Sequence, residues 1–312
     1  MARLPRQTVL LYQAIGLLLV ILFIVLLLPG KPTAQIQAAA VQATVPPAAS
    51  ATATPTPTVT HTPIPSLTPA PAPTLTPTLP AGEPAVIGYS VQGRALEVYR
   101  FGSGPVHQMI IAGIHGGYEA NTVKLAEELI AYLKENPTAV PDDRTLFILP
   151  VLNPDGYHRR WGYEGRANGN GVDLNCNWDS NWQAEWPTAY CWSALPITAG
   201  SEPMSEPETQ ALAQFLLDYK IESLISYHSA GPAVFAGGKP GEGPAADLAK
   251  TLARAASYPE MTGESLCVFT GMLANWAVDH GIPAVDIELP DHAYPDFQTN
   301  LKALQAFLSW SR

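Results

Sequence analysis

Four runs decide what most of this chain can fold into: QMIIAGI (108–114), TLFILPV (145–151), IESLISY (221–227) and IPAVDI (282–287). They are short, rich in β-branched residues and largely without a polar face. That pattern marks strands buried on both sides, as in sheets with parallel strands under helices. The segments between them have the helical period. Residues 119–135 carry Val123, Leu125, Ala126, Leu129, Ile130 and Leu133 at helical spacing and stop at Asn136–Pro137. SEPETQALAQFLLDYK (205–220) opens with Ser205 and Glu208 as a capping box and with Pro207 in the first turn. Residues 244–257 and 296–311 read as two more helices, and IGYSVQGRALEVYRFGSG (87–104) as a hairpin about Gln92–Gly93. Asn153-Pro154-Asp155-Gly156 reads as a turn after the second run. Strands alternating with helices predict an α/β domain. Its central sheet is mixed and mostly parallel, with helices on both faces.

This domain occupies residues 85–312. What precedes it cannot share its core. Residues 9–28 are apolar apart from Tyr12 and Gln13, long enough to cross a bilayer core of about 30 Å as a helix. Arg3 and Arg6 precede the run and Lys31 follows it, which orients the N-terminus to the cytoplasm. The expectation is a cytoplasmic segment 1–8, a single-pass signal anchor 9–29 and a catalytic domain held outside the membrane. Secretion after signal cleavage is the alternative, although the apolar core is longer than the usual ~7–15 residues and PGKPTA is a poor cleavage site. Residues 30–84 are Pro, Thr and Ala in the main, too poor in apolar surface to fold and biased by proline to an extended stalk. His61 within it is no ligand. The formal net charge is −10, the wrong sign for a nucleic-acid partner. Cys176, Cys191 and Cys267 allow one disulfide at most, with the pairing left open.

In open sheets of this class ligands gather outside the carboxyl ends of the strands. Here those ends carry His115 and Glu119, then Asn153–Gly156, then His228, then Glu288. Two histidines and a carboxylate are a frequent ligand set for catalytic zinc, so His115, Glu119 and His228 are the expected ligands of one Zn²⁺ per chain. Zinc lowers the pKa of its water and polarises a carbonyl. Glu288 is the expected base for the water's proton, since a carboxylate on an apolar strand has no cheap structural explanation. Arg166, in GRANGNGVDLN, is the expected donor to the oxyanion.

The wording around these residues is HGGYE (115–119), NPDG (153–156), Arg166, GVDLNCNW (171–178), SEPET (205–209), YHS (227–229) and IEL (287–289). In that order the pieces resemble the zinc metallocarboxypeptidases, the carboxypeptidase A-like family, over essentially all of 86–312. SVQGRAL (90–96) is similar to the opening hairpin of its short bacterial members. The resemblance implies a mixed sheet of about eight strands. It also implies hydrolysis of a C-terminal or, in some bacterial members, a cell-wall peptide bond.

Two departures stand out. The family's ligand pair is His-x-x-Glu, whereas here it is His-x-x-x-Glu. Gly116–Gly117 could absorb the extra residue, and the rival role for Glu119 is to cap the following helix. The family's LNRN is LNCN. Asn175 remains where relatives hold the substrate's terminal carboxylate, but the Arg is Cys176. A neutral thiol lacks the bidentate, charge-assisted grip, a loss of about 1.5–3 kcal/mol. Arg159 or Arg160 would compensate, or the substrate lacks the usual carboxylate; Cys176 could also bridge to Cys191. No Tyr matches the family's substrate-binding Tyr, since Tyr258 lies too far upstream and Tyr294 follows Glu288. His107, His158 and His280 are expected at the surface and His292 in a loop. Trp178, Trp182, Trp186 and Trp192 are expected in core packing or a loop lid. The expected function is a membrane-anchored zinc peptidase acting on peptide or cell-wall peptide. A hydrolase of N-acyl amino acids and a non-catalytic peptide-binding module are the alternatives.

Overall fold

The four apolar runs form the centre of one sheet: β3 (Val106–Ile111), β4 (Arg144–Leu149), β5 (Ser223–Ser229) and β8 (Ala284–Leu289). They lie side by side, all parallel, in the order β4-β3-β5-β8. Every residue of β4 and of β5 is buried, as strands covered on both faces must be. The hairpin β1 (Pro84–Tyr89) and β2 (Ala95–Gly102) adds an antiparallel edge next to β4. On the other side β6 (Ala233–Ala236) runs antiparallel to β8, and β7 (Glu260–Met261) pairs with β6. The result is an 8-stranded mixed sheet in the order β1-β2-β4-β3-β5-β8-β6-β7. The computed structural model describes residues 79–159, 162–187, 197–262 and 267–312. The anchor expected at 9–29, most of the stalk, Arg160, Cys191 and Trp192 lie outside the described residues. Among the described residues no helix is long and apolar enough to cross a membrane.

The helices are α1 (Ala120–Glu135), α2 (Pro154–Arg159), α3 (Pro207–Asp218), α4 (Gly243–Ala256), α5 (Leu273–Asp279) and α6 (Phe297–Ser309). One apolar cluster joins Leu125 and Leu129 of α1, Leu252 of α4 and Phe307 of α6 to Ile110, Ile148, Ile225 and Ile287. The opposite cluster joins Leu212 and Phe215 of α3 and Trp276 of α5 to Met109, Ile111, Phe147 and Leu224. Successive residues of β3 thus serve opposite cores, the period of two that a doubly covered strand requires.

The chain leaves β3 for β4 on one side, whereas β5 leads to β6 and β8 on the other. The crevice between the ends of β3 and β5 is therefore the point where the winding reverses, which is where such sheets bind ligands.

Two local expectations are overturned. Asn153-Pro154-Asp155-Gly156 does not make a free turn. It opens α2, with Asn153 Oδ1 accepting from Gly156 N at 2.8 Å and Pro154 as the first helical residue. The capping box at Ser205 is not made either, because α3 starts at Pro207 with Glu206 at its N-cap and no side-chain cap. Ser205 Oγ donates to Glu206 Oε1 at 2.7 Å, while Glu208 accepts from Val91 N at 3.1 Å and Asn168 Nδ2 at 3.2 Å. Long-range partners outbid the local motif there. Cys176 is a free thiol and Cys267 is disulfide-bonded, so the bridge considered for Cys176 does not form.

Candidate metal centre

His115 lies just beyond β3 and is followed by a 3-10 turn over Gly116–Glu119 that leads straight into α1. This turn takes up the extra residue between His115 and Glu119. Its first residue, Gly116, has φ +47, and a Cβ there would lie 2.7 Å from both Gly165 O and Tyr157 N. Gly116→Ala should cost roughly 2–4 kcal/mol, combining left-handed strain with overpacking against backbone. Chemical denaturation reads that loss, and an unchanged midpoint would contradict this account of the turn.

Glu119 stands at the N-cap of α1 but makes no cap hydrogen bond, so the capping alternative fails. Its carboxylate turns to the histidines instead. Glu119 Oε1 is 2.8 Å from His115 Nδ1 and its Oε2 is 3.4 Å from His228 Nδ1. The two Nδ1 atoms are 3.3 Å apart. All three residues are buried, at 2–3% exposure. His228 is the partner of Glu288 in the β5–β8 register, and Ser226 is the partner of Asp286 one rank deeper. The far ring nitrogens are also held. His115 Nε2 is 3.2 Å from Asp173 Oδ1, and His228 Nε2 is 2.9 Å from Ser226 Oγ and 3.4 Å from Asp286 Oδ1.

Histidine, glutamate and histidine each offer a ligand atom within 4.8 Å of the others, a group able to hold a metal ion. Zinc bonds of about 2.0–2.1 Å in a tetrahedron space their donor atoms by about 3.3 Å, close to the separation of the two Nδ1 atoms. The surrounding charge has the matching sign. Burial would lower the pKa of His228, yet Asp286 and Glu119 hold it well above its ordinary value. Burial would raise Glu119, yet His115 and His228 hold it well below the usual carboxylate range. The pocket thus favours positive charge at its centre, and the residues present fit zinc.

Glu288 lines the same cavity, and its Oε2 is buried with no protein partner. Burial, with Glu119 and Asp286 adding to it against the pull of His228 and His115, pushes its carboxyl up to about 7. Arg166 is buried behind Glu119. Its Nε donates to Asp173 Oδ2 at 2.7 Å, its Nη1 is 3.5 Å from Glu119 Oε1, and its guanidinium lies 5.5 Å from the Tyr118 ring centre. Burial opposes the charge on Arg166, but Asp173 and Glu119 outweigh it and raise its pKa.

Asn175 and Cys176 form part of the wall of a cavity of about 410 Å³, the size of a small-ligand site. Asn175 Oδ1 accepts from Leu273 N at 3.0 Å, which ties this wall to α5. Burial, and next the charge of Asp173, push the Cys176 thiol well up, so it stays neutral. Arg159 does not replace the missing guanidinium, because its Nη atoms donate to the carbonyls of Glu164, Ala167 and Asn168. Trp178 is fully buried against Trp276, ring centres 5.0 Å apart, and serves the core. His292 is in a loop, as its position suggests, but it also lines the cavity, with Nδ1 3.0 Å from Ser229 Oγ.

Sequence reasoning missed Asp173, Ser226 and Asp286. Each stands at the same strand end or motif as an expected site residue. Ser226 and Asp286 precede His228 and Glu288 by two residues, the spacing that puts side chains on one face of a strand.

A family model described as "Zinc carboxypeptidase" matches residues 83–306. Murein peptide amidase A of Escherichia coli K12 is 30% identical over 190 residues, 58% of this chain and 70% of that protein. Carboxypeptidase A2 of Rattus norvegicus is 29% identical over 161 residues, 46% of this chain and 38% of its own. Among solved structures, murein-tripeptide amidase of E. coli O157 superposes with a TM-score of 0.55 at 25% identity, over 73% of this chain and 92% of that one. Bovine thrombin-activatable fibrinolysis inhibitor shares the fold, with a TM-score of 0.61 at 24% identity over 73% of this chain and 89% of its own.

Proposed function

The chain belongs to the zinc carboxypeptidase family of metallopeptidases, and from that premise we propose that it hydrolyses an amide bond of a short cell-wall peptide outside the cytoplasmic membrane. One observation carries the hydrolytic part. A His-Glu-His donor group sits beside the carboxylate of Glu288, whose Oε2 is buried without a hydrogen-bond partner. His115, Glu119 and His228 would hold the zinc, which when bound supplies a Lewis acid that makes water nucleophilic near neutral pH.

The remaining work falls to the chain's own side chains. Glu288 accepts the proton of the attacking water and passes it to the departing nitrogen. Burial raises this carboxyl above its ordinary range, which makes it a better proton acceptor for water and lets its protonated form hand the proton on to nitrogen. Arg166 directs its fixed positive charge at the oxyanion that forms on the former carbonyl. Asp173 steadies His115, and Ser226 steadies His228, so that neither ring has to reorient as charge moves.

The substrate class rests on two supports. Similarity to murein peptide amidase A covers most of that protein. The wall position where relatives grip a terminal carboxylate holds the neutral Cys176 thiol, which suits a restricted peptide better than protein C-termini in general. The apolar run 9–28 with Arg3 and Arg6 before it supports a location outside the membrane.

The test is release of a new amine from a murein tripeptide by the purified full chain. An N-blocked dipeptide with a free carboxylate serves as the competing substrate. Turnover of the tripeptide that needs both zinc and Glu288 supports the reading. Protein that contains no zinc and cleaves neither peptide overturns it in favour of a binding module. Faster cleavage of the blocked dipeptide points to a general carboxypeptidase.

Removing zinc with a chelator should abolish turnover and lower the melting temperature by about 5–10 °C. This follows from ligand linkage of about 2.7 kcal/mol at a hundredfold excess over Kd. One equivalent of zinc should restore both; a melting temperature indifferent to zinc would speak against the ligand set.

A further inference from the structure

A second cavity, of about 340 Å³, lies at the opposite end of the sheet from the metal donors. It opens where β3 and β4 begin, and His107 and Thr145, the second residues of those strands, stand in its wall. His115 lies past the other end of β3, about 20 Å away by strand length. The two cavities share no lining residue. Phe147 and Tyr219 close one side, meeting edge to face with ring centres 5.3 Å apart, and Leu79 adds to the apolar wall. The carbonyls of Leu216, Leu217 and Tyr219, at the end of α3, are engaged by Ile221 N, Lys220 N and His107 Nδ1.

Two cations, Arg100 and Lys220, line this space together with the hydroxyl of Ser103. Arg100 is the partner of Phe147 in the β2–β4 register, and its Nε is buried without a hydrogen-bond partner. Burial and then Asp218 raise the Tyr219 phenol while Arg100 pulls it down, which sets the guanidinium charge beside that ring. Asp218, the one acid among the described lining residues, accepts from Gln214 Nε2 at 2.7 Å and forms no ion pair with either cation. An arginine stem that only covered Phe147 would leave its head in water. Here Nε is taken out of water and given no acceptor, which is expensive and calls for a partner from outside the chain.

We propose that this second cavity binds a phosphate group carried as an ester on a small organic substituent. Arg100 takes two phosphate oxygens in its planar fork, and Lys220 meets a third as a point charge. Ser103 adds a neutral donor. A carboxylate, with two oxygens, would leave part of this donor set unused. The cavity has the size of a small-ligand site rather than of a bare ion, so the substituent lies along Phe147 and Leu79. A lipid headgroup and a soluble phosphate ester share this chemistry.

The purified full chain is titrated calorimetrically with inorganic phosphate, glycerol 3-phosphate and acetate at equal ionic strength, with zinc bound and after its removal. Both phosphates should bind with a Kd below about 1 mM in either state, and more tightly than acetate by about tenfold. Arg100→Gln should weaken phosphate binding by about tenfold to a hundredfold, and Lys220→Gln by about threefold, in chains whose circular dichroism is unchanged. If Arg100→Gln fails to fold, the exposed Lys220→Gln carries the comparison. Soluble short-chain phosphatidylglycerol separates the two sources. Displacement of glycerol 3-phosphate at a lower concentration assigns a lipid headgroup, and failure to displace it assigns a soluble ester; both support the proposal. Wild-type chain that binds neither phosphate overturns it without any variant. Binding that acetate matches, that both variants leave unchanged, or that disappears with zinc also overturns it, the last by placing the anion at the metal.

Discussion

Glu288→Gln should lower kcat/KM by about a hundredfold to ten-thousandfold, the range general acid–base groups supply. It should leave zinc content and peptide affinity nearly unchanged. The amide keeps the volume of the carboxyl but can neither take a proton from water nor return one to nitrogen. The wild-type pH profile should identify the same group. A base works only when deprotonated, so kcat/KM should rise with pH through the Glu288 pKa. That carboxyl is raised to about 7 by burial, with Glu119 and Asp286 adding to the effect. A nearby dication moves it down, so the midpoint should fall at or below about 7. The variant should lack this limb. Retained activity with an unaltered profile would remove Glu288 from the reaction.

Arg166→Met should produce the second large effect, in two separable parts. The first is catalytic, a drop of about a hundredfold to a thousandfold in kcat/KM through loss of an oxyanion donor. The second is structural. Arg166 is buried between Asp173 and Glu119, and removing it leaves two buried carboxylates facing each other's field. Breaking a buried pair on one side costs about 3–5 kcal/mol, readable as a shift in the denaturation midpoint. Burial acts to raise the Asp173 carboxyl, but Arg166 and His115 hold it well below the usual range. A depressed folded pKa gives stability that is present above the unfolded value, about 3.9, and lost as pH falls below it. The gap between wild type and Arg166→Met should therefore narrow in acid. Arg166→Lys keeps a charge without the planar fork, so it should recover part of the stability and little of the rate. A variant with normal stability and normal rate would show that the guanidinium is idle.

The parts of the fold legible in the sequence were those where burial on two faces leaves no alternative. The runs that became β3, β4, β5 and β8 needed no tertiary information, because a stretch such as TLFILP has no polar side to show to water. His115, His228 and Glu288 were legible for the same reason, being polar residues at the rims of apolar strands. What escaped the sequence depends on partners distant along the chain. Ser205 had a local acceptor for its motif, yet Glu208 is drawn to Val91 and Asn168. Asn153 looked like a turn former, and the same side-chain bond that makes turns instead starts α2. β6 and β7 are too short to show a period. Asp173 and Asp286 were hidden in plain sight: a carboxylate's role depends on what faces it across the sheet, and that is set only by register.

The proposed donors and base gather at the ends of three neighbouring parallel strands, β3, β5 and β8, reached at widely separated points of the chain. During synthesis, His115, Glu119 and His228 emerge well before Glu288. Because His228 on β5 lies in register with Glu288 on β8, the expected donors and the expected base meet only when the last strand closes against β5.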